Sequence, residues 1–292
     1  MNYFLKQKPI FKFYYFFFSI IILFAIYSCC RDHDCKCSGE GEENKIEFWE
    51  HFIAHAGGAI DGINYTNCVE ALDLSYSKGC KLFELDLVLT TDDKIVAKHD
   101  PPGKTEAEFM SQLISGKYTP MNMAAINNWF QEHPDAILIT DKINTPERIY
   151  EEFLFRDRVI MELFAWDSVD RAIELGIKPM VSENLIYGSS KKSMEMGIIP
   201  SKKKSLSNVE QILEDKKIEY ICMSRYYRMK GNENFLRRLK NKGIKNYVYH
   251  LELPVPVGGQ SAEEYVWNYE MKFCHGMYAN DLDLLFSLLN EQ

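Results

Sequence analysis

The chain has no basic stripe. Its 34 Lys and Arg are outnumbered by 42 Asp and Glu, leaving a formal net charge of −8. Nothing in it can neutralise a run of backbone phosphates, which argues against a nucleic-acid partner. A disulfide framework is missing too. Of eight cysteines, four crowd positions 29–37, and Cys68, Cys80, Cys222 and Cys274 are scattered through a body large enough to build its own core. A Cys68–Cys80 bridge stays open. His33, Cys35 and Cys37 make no zinc knuckle, because Cys-x-Cys is tighter than the usual ligand spacing and no second pair follows. There is no internal repeat, and the apolar run Phe13–Ile26 has 14 residues where a membrane span needs about 20.

What is present at the N-terminus reads as export machinery. Lys6, Lys8 and Lys12 precede the apolar run, and Ile26-Tyr27-Ser28-Cys29 has the form of a bacterial lipobox, with Cys29 the lipidated residue. Residues 1–28 are thus expected to be a signal peptide, with an uncleaved anchor as the alternative, and residues 29–44 a polar tether. Either way the body, residues 45–292, is expected in the cell envelope, lipid-anchored and facing the periplasm or the outer surface. Losing residues 1–28 removes three lysines and no acids, taking the formal charge to −11.

The body's length suits one (βα)8 barrel. Eight apolar or β-branched runs are strand candidates: Phe52–His55, Lys81–Val88, Ala136–Ile143, Val159–Phe164, Lys178–Val181, Ile218–Met223, Asn246–Leu251 and Gly276–Ala279. Segments with helical spacing lie between them, at Val69–Leu74, Thr145–Tyr150, Ser168–Ile173 and Asn234–Lys240, and Gly79, Gly176 and Gly243 follow helices where a left-handed cap is expected. Strand, helix and glycine in repeated succession imply parallel crossovers. Lys94–His99 is expected to be an extended piece that follows a turn at Thr91-Asp92-Asp93 and delivers His99 to the barrel mouth.

In such barrels chemistry collects at the carboxyl ends of the strands. Alternate side chains of an extended strand share a face, so Glu84 and Asp86 point the same way and can hold one hard cation, with His55 and His99 near the ends of the run. Asp141, Lys142, Glu162, Ser182, Glu183, Asn184, Ser224, Arg225, His250 and Glu252 lie at or near the same rim. Two histidines about a metal suit acid/base chemistry on a phosphate ester. His51 and His133 read as surface positions and His275 as structural, while Tyr226, Tyr227, Tyr247, Tyr249 and Trp166 are candidate walls of a headgroup pocket.

His55-Ala56-Gly57, Thr66-Asn67-Cys68, Glu84-Leu85-Asp86 and His99-Asp100 follow one another in an order that resembles the glycerophosphodiester phosphodiesterases. That family carries His-Arg-Gly, Glu-Asn-Thr, Glu-x-Asp and His-Asp at similar separations. The resemblance, sharp over residues 50–100, implies a TIM barrel that hydrolyses glycerophosphodiesters to glycerol 3-phosphate and an alcohol. It implies His55 and His99 as the acid/base pair and a small-molecule partner; Glu84 and Asp86 are hard oxygen donors, for which Ca2+ or Mg2+ is the expectation, and the protein is expected to be a monomer. The family's third strand has Glu-x-Lys, whereas this chain has Ile139-Thr140-Asp141-Lys142-Ile143. We expect a bend that brings Asp141 to the metal and Lys142 to the phosphate, with Thr140 the occupant of the acid's place if Lys142 keeps the lysine's, and Glu162 in reserve. Ala56 stands where the family has a phosphate-binding arginine, for which Arg225, Lys98 or Lys142 would compensate. Thr66 replaces the family's acid, which is expected to alter loop support around His55. The alternatives are a phospholipase-like lyase that releases a cyclic phosphate and a non-catalytic phosphodiester-binding lipoprotein.

Overall fold

Period-two alternation is what turns these runs into a closed barrel: each buries one set of side chains in the lumen and the other beneath helices. The structure, a computed structural model, describes residues 49–188, 203–228, 231–249, 251 and 261–290. The expected signal peptide, Cys29 and tether, together with His250 and Glu252, lie outside the described residues. In chain order the elements are β1 (Phe52–Ala54), α1 (Val69–Ser77), β2 (Leu82–Leu89), β3 (Ile95–Ala97), α2 (Glu106–Met110), α3 (Met123–Glu132), β4 (Ile137–Asp141), α4 (Pro146–Glu152) and β5 (Val159–Leu163). There follow α5 (Trp166–Glu174), β6 (Lys178–Val181), α6 (Glu183–Tyr187), α7 (Leu206–Asp215), β7 (Tyr220–Ser224), α8 (Arg225–Arg228), α9 (Glu233–Asn241), β8 (Lys245–Tyr249), α10 (Ala262–Tyr265), β9 (Gly276–Ala279) and α11 (Leu282–Asn290). Among the described residues no helix is long and apolar enough to cross a membrane.

Eight of the strands are parallel and close on themselves, because β1 pairs with both β2 and β9. All eight expected strands are present, with ends shifted by at most two residues. The extended piece expected at Lys94–His99 is β3, antiparallel to β2 with Leu87 opposite Ala97. Gly79, Gly176 and Gly243 all have positive φ, as their places after helices require.

The lumen is filled by Ile53, Leu82, Ile139, Ile160, Met180, Tyr220, Cys222, Tyr247, Tyr249 and Tyr278. The alternate residues Phe83, Leu85, Leu87, Leu138, Met161 and Leu163 belong to the larger core shared with the helices. Tyr247 and Tyr249 are therefore packing groups and not pocket walls. Burial holds the hydroxyls of Tyr249 and Tyr278 protonated well above the ordinary tyrosine range. At the barrel's seam Gly276 is obligatory, since a Cβ there would lie 2.3 Å from the His51 carbonyl oxygen.

Cys68 and Cys80, whose pairing the sequence left open, are free thiols, as are Cys222 and Cys274, and all four are buried. Two smaller expectations are corrected. His51 is half-buried, donating from Nδ1 to the His275 carbonyl with the two rings 4.8 Å apart. His133 is not a bare surface residue either, since its ring stacks on Trp129 at 4.0 Å.

Candidate active site

The site grows from the turn that ends β1. His55 closes the strand, and Ala56 then adopts φ 49° and ψ 36°, a left-handed conformation that a residue with a Cβ rarely takes. The turn is held by what it does with its backbone: the Ala56 N–H donates to Glu84 Oε2 at 2.7 Å, and its carbonyl accepts from the Asn67 N–H at 3.1 Å. The Ala56 side chain is wholly buried, so at this position it is the backbone that meets the site.

Asn67 is the second fixture. Its Nδ2 donates to Asp86 Oδ2, and its Oδ1 accepts from the Asp86 backbone N–H, both at 2.9 Å. The amide thereby fixes Asp86 through both its carboxylate and its backbone. The loop support expected at Thr66-Asn67 around His55 thus extends to Asp86 as well.

Strand register identifies the third acid. β2 and β4 run parallel with Glu84 beside Ile139, Leu85 beside Thr140 and Asp86 beside Asp141. Ile139 faces the lumen and Leu138 the helices, so alternation turns Asp141 inward and Thr140 outward. Thr140 is thereby corrected as a candidate ligand. Glu84, Asp86 and Asp141 each offer an oxygen within 4.8 Å of the others, and their residues are 1%, 2% and 6% exposed. Burial, and then the neighbouring Asp141 charge, push the Asp86 carboxyl above its ordinary value. Glu162 also faces inward, fully buried, but is not part of the cluster of three. Lys142 has φ 66°, a left-handed bend at the end of β4, and its charge acts on Asp86.

The two imidazoles are held by different elements, with Tyr65 in contact with both. His55 Nδ1 lies 3.1 Å from Asn280 Oδ1, just past the end of β9. His99 follows β3, whose continuation is tied down by the Lys98 N–H donating to the Asp86 carbonyl at 2.8 Å. Its Nδ1 lies 3.2 Å from Asp100 Oδ1, and His99 and Lys142 share a cavity of about 600 Å³. Between the histidines stands Tyr65, its ring edge-on to both, at centroid distances of 4.8 Å to His55 and 5.4 Å to His99. Sequence reasoning missed Tyr65 and Asn280. Neither belongs to a spacing pattern; the first is placed by a loop, the second by closure of the barrel across 225 residues.

Arg225 does not stand ready for a phosphate, and that expectation is corrected. The side chain is entirely buried, its Nε 3.0 Å from Glu270 Oε1, with Tyr265 beneath the guanidinium at 5.1 Å. A buried arginine needs a carboxylate, and Glu270 supplies it. Glu183 likewise has work, accepting the Ser224 N–H at 2.7 Å.

No protein-family profile and no curated protein matches the sequence. Solved structures do resemble the fold. A glycerophosphodiester phosphodiesterase from Thermotoga maritima superposes with a TM-score of 0.58 at 18% identity, over 82% of this chain and 97% of that one. One from Parabacteroides distasonis gives 0.58 at 14% identity over the same shares. A phosphodiesterase from Oleispira antarctica, in complex with the product sn-glycerol-3-phosphate, gives 0.54 at 14% identity, over 84% of this chain and 99% of that one. At these identities the likeness establishes the architecture: this chain folds as the (βα)8 barrel that those phosphodiesterases also adopt.

Proposed function

We propose that the protein is a metal-dependent phosphodiesterase that hydrolyses glycerophosphodiesters to glycerol 3-phosphate and an alcohol. The observation that carries this reading is the meeting, at one end of the barrel, of three buried carboxylates with two histidines that flank a shared tyrosine. Three acids buried within 4.8 Å of one another repel unless a cation lies among them. Their donors are all hard oxygens, which suits Ca2+ or Mg2+ held by Glu84, Asp86 and Asp141. When bound, the ion neutralises phosphoryl charge as a Lewis acid.

The chain's own groups do the rest. Lys142 adds a positive charge beside the phosphoryl oxygens, in the part that the missing arginine at Ala56 leaves open. One imidazole takes the proton of the attacking hydroxyl, and the other gives a proton to the departing oxygen. Asn280 and Asp100 set the orientation of His55 and His99 through their Nδ1 atoms, directing each Nε2 away from these partners. The N-terminal sequence adds a cell-envelope setting to the proposal, with Cys29 as lipid anchor.

Release of glycerol 3-phosphate from sn-glycero-3-phosphoglycerol tests the reading. Turnover should be lost on chelation and restored by Mg2+ or Ca2+, and phosphorus NMR should show a monoester product. A lasting cyclic phosphate would make the protein a lyase. No turnover of any glycerophosphodiester with either cation would leave a binding protein.

A further inference from the structure

A second cavity also touches His99 but is not lined by Lys142. It holds about 680 Å³ and is walled by Tyr65, Lys98, His99, Lys104, Gln112 and Leu113 among others. On the basis of the phosphodiesterase reading, we propose that this cavity is the leaving-group subsite and selects glycerophosphodiesters whose alcohol is a phosphorylated polyol.

Position is the first argument. Tyr65 and Thr66, which line the cavity, directly precede Asn67, whose amide grips Asp86. His99 is a common wall of this space and of the space that holds Lys142. A diester whose phosphorus sits by the carboxylates thus extends one arm past His99 into this cavity. The departing oxygen is then on the His99 side.

Charge is the second argument. In a chain of net charge −8, this wall carries two ammonium groups and one carboxylate, Asp100, which is engaged with His99. Lys104 Nζ donates to the neutral amide of Gln112 at 2.7 Å. Among the described residues Lys98 has no carboxylate within ion-pairing distance, and neither does Lys104. Lys104 acts on Glu108 only through its charge, without a close ion pair; a choline or glycerol arm offers neither ammonium an anion to pair with, whereas a second phosphate does, with lysine as a point-charge partner. The remaining wall suits a polyol's carbon face: Tyr65 is 40% and Leu113 55% exposed, side by side with the Gln112 amide. The volume falls in the range of small-molecule sites.

The reaction adds one water. Its oxygen bonds to phosphorus as the bond from phosphorus to the polyol oxygen breaks; His55 takes the proton from the attacking side, and His99 supplies one to the polyol oxygen. The products are glycerol 3-phosphate and a polyol phosphate.

The test compares kcat/KM on four substrates. Two lack a second anion, sn-glycero-3-phosphocholine and sn-glycero-3-phosphoglycerol. Two carry one, glycerophosphoinositol 4-phosphate, as a lipid remnant would, and a glycerol-phosphate dimer with a terminal phosphate, as a polymer end would. At least one of the substrates with a second phosphate should exceed the pair without one by about tenfold, chiefly through KM, and the better of the two identifies the source. In the double variant Lys98→Gln/Lys104→Gln that ratio should fall toward one, and Lys104→Arg alone should retain it. Equal kcat/KM across the four substrates, or a preference that survives removal of both lysines, overturns the subsite. No turnover of any of the four overturns the phosphodiesterase reading itself, and so is told apart from failure of the subsite alone.

Discussion

At the scale of single residues the site separates groups that touch the reaction from groups that hold them. His99 is half-exposed; its ring meets Asp100 and Tyr65, and its charge acts on Asp86, but it is not one of the three groups clustered about the candidate cation position. His99→Ala should therefore lower kcat by about 10²–10⁴ while Mg2+ or Ca2+ affinity, followed by calorimetric titration, stays within a few-fold of wild type. Equal loss of both would make His99 a ligand. Asn67 acts through another residue. Asn67→Ala removes one hydrogen bond from the buried Asp86 carboxylate and one from its backbone N–H, and puts Ala at φ 49°, so a loss of about 3 kcal/mol in urea unfolding is expected, together with weakened cation binding. A variant with normal stability and affinity would show that Asp86 needs no such clamp. The acids and histidines were legible in the sequence because their types and order carry a chemical pattern. Arg225 was misread because a charge at a strand end says nothing about whether a carboxylate from elsewhere, here Glu270, has already taken it.

At the scale of elements, periodicity disclosed the strands but not how neighbouring strands align. Ile139-Thr140-Asp141 reads equally well with Thr140 or Asp141 at the site until β4 is set against β2. Only the pairing of Asp86 with Asp141 fixes which face each residue joins. This makes a paired prediction. Thr140 is fully buried on the helix-facing side, and its hydroxyl has no hydrogen-bond partner among the described residues. Thr140→Val should keep activity and be neutral to about 1 kcal/mol more stable in chemical denaturation. Asp141→Asn should instead weaken cation binding and activity together. The reverse pattern, an inactive Thr140→Val with a competent Asp141→Asn, would mean that the strands are aligned one residue differently.

At the scale of the whole molecule, the barrel has two ends with opposite electrical demands. The carboxyl rim crowds three acids, which the proposed cation would balance, while the other end, where His51, Gly276 and His275 close β1 against β9, needs an imidazole that stays neutral. Burial first, and then the nearby His51, Lys245 and Lys240, lower the His275 pKa from 6.5 to about 3. The unfolded chain binds a proton at this histidine near pH 6.5 and the folded one does not. Stability from the neutral ring is therefore complete above pH 6.5 and is lost progressively as pH falls toward 3. Carboxylates act lower on the scale. A hydrogen bond from the Thr90 hydroxyl, one from the Thr105 backbone and the Lys242 ammonium hold Asp92, Glu108 and Glu210 below their ordinary values. Their contribution fades only as pH falls below about 4.5. Between pH 6.5 and 5 the histidine term stands apart from theirs. Thermal melts of wild type and His275→Gln in chelator, across pH 7.5 to 5, should show the melting temperature of the wild type falling below pH 6.5 and that of the variant declining less steeply. Parallel curves would assign the acid sensitivity to another group.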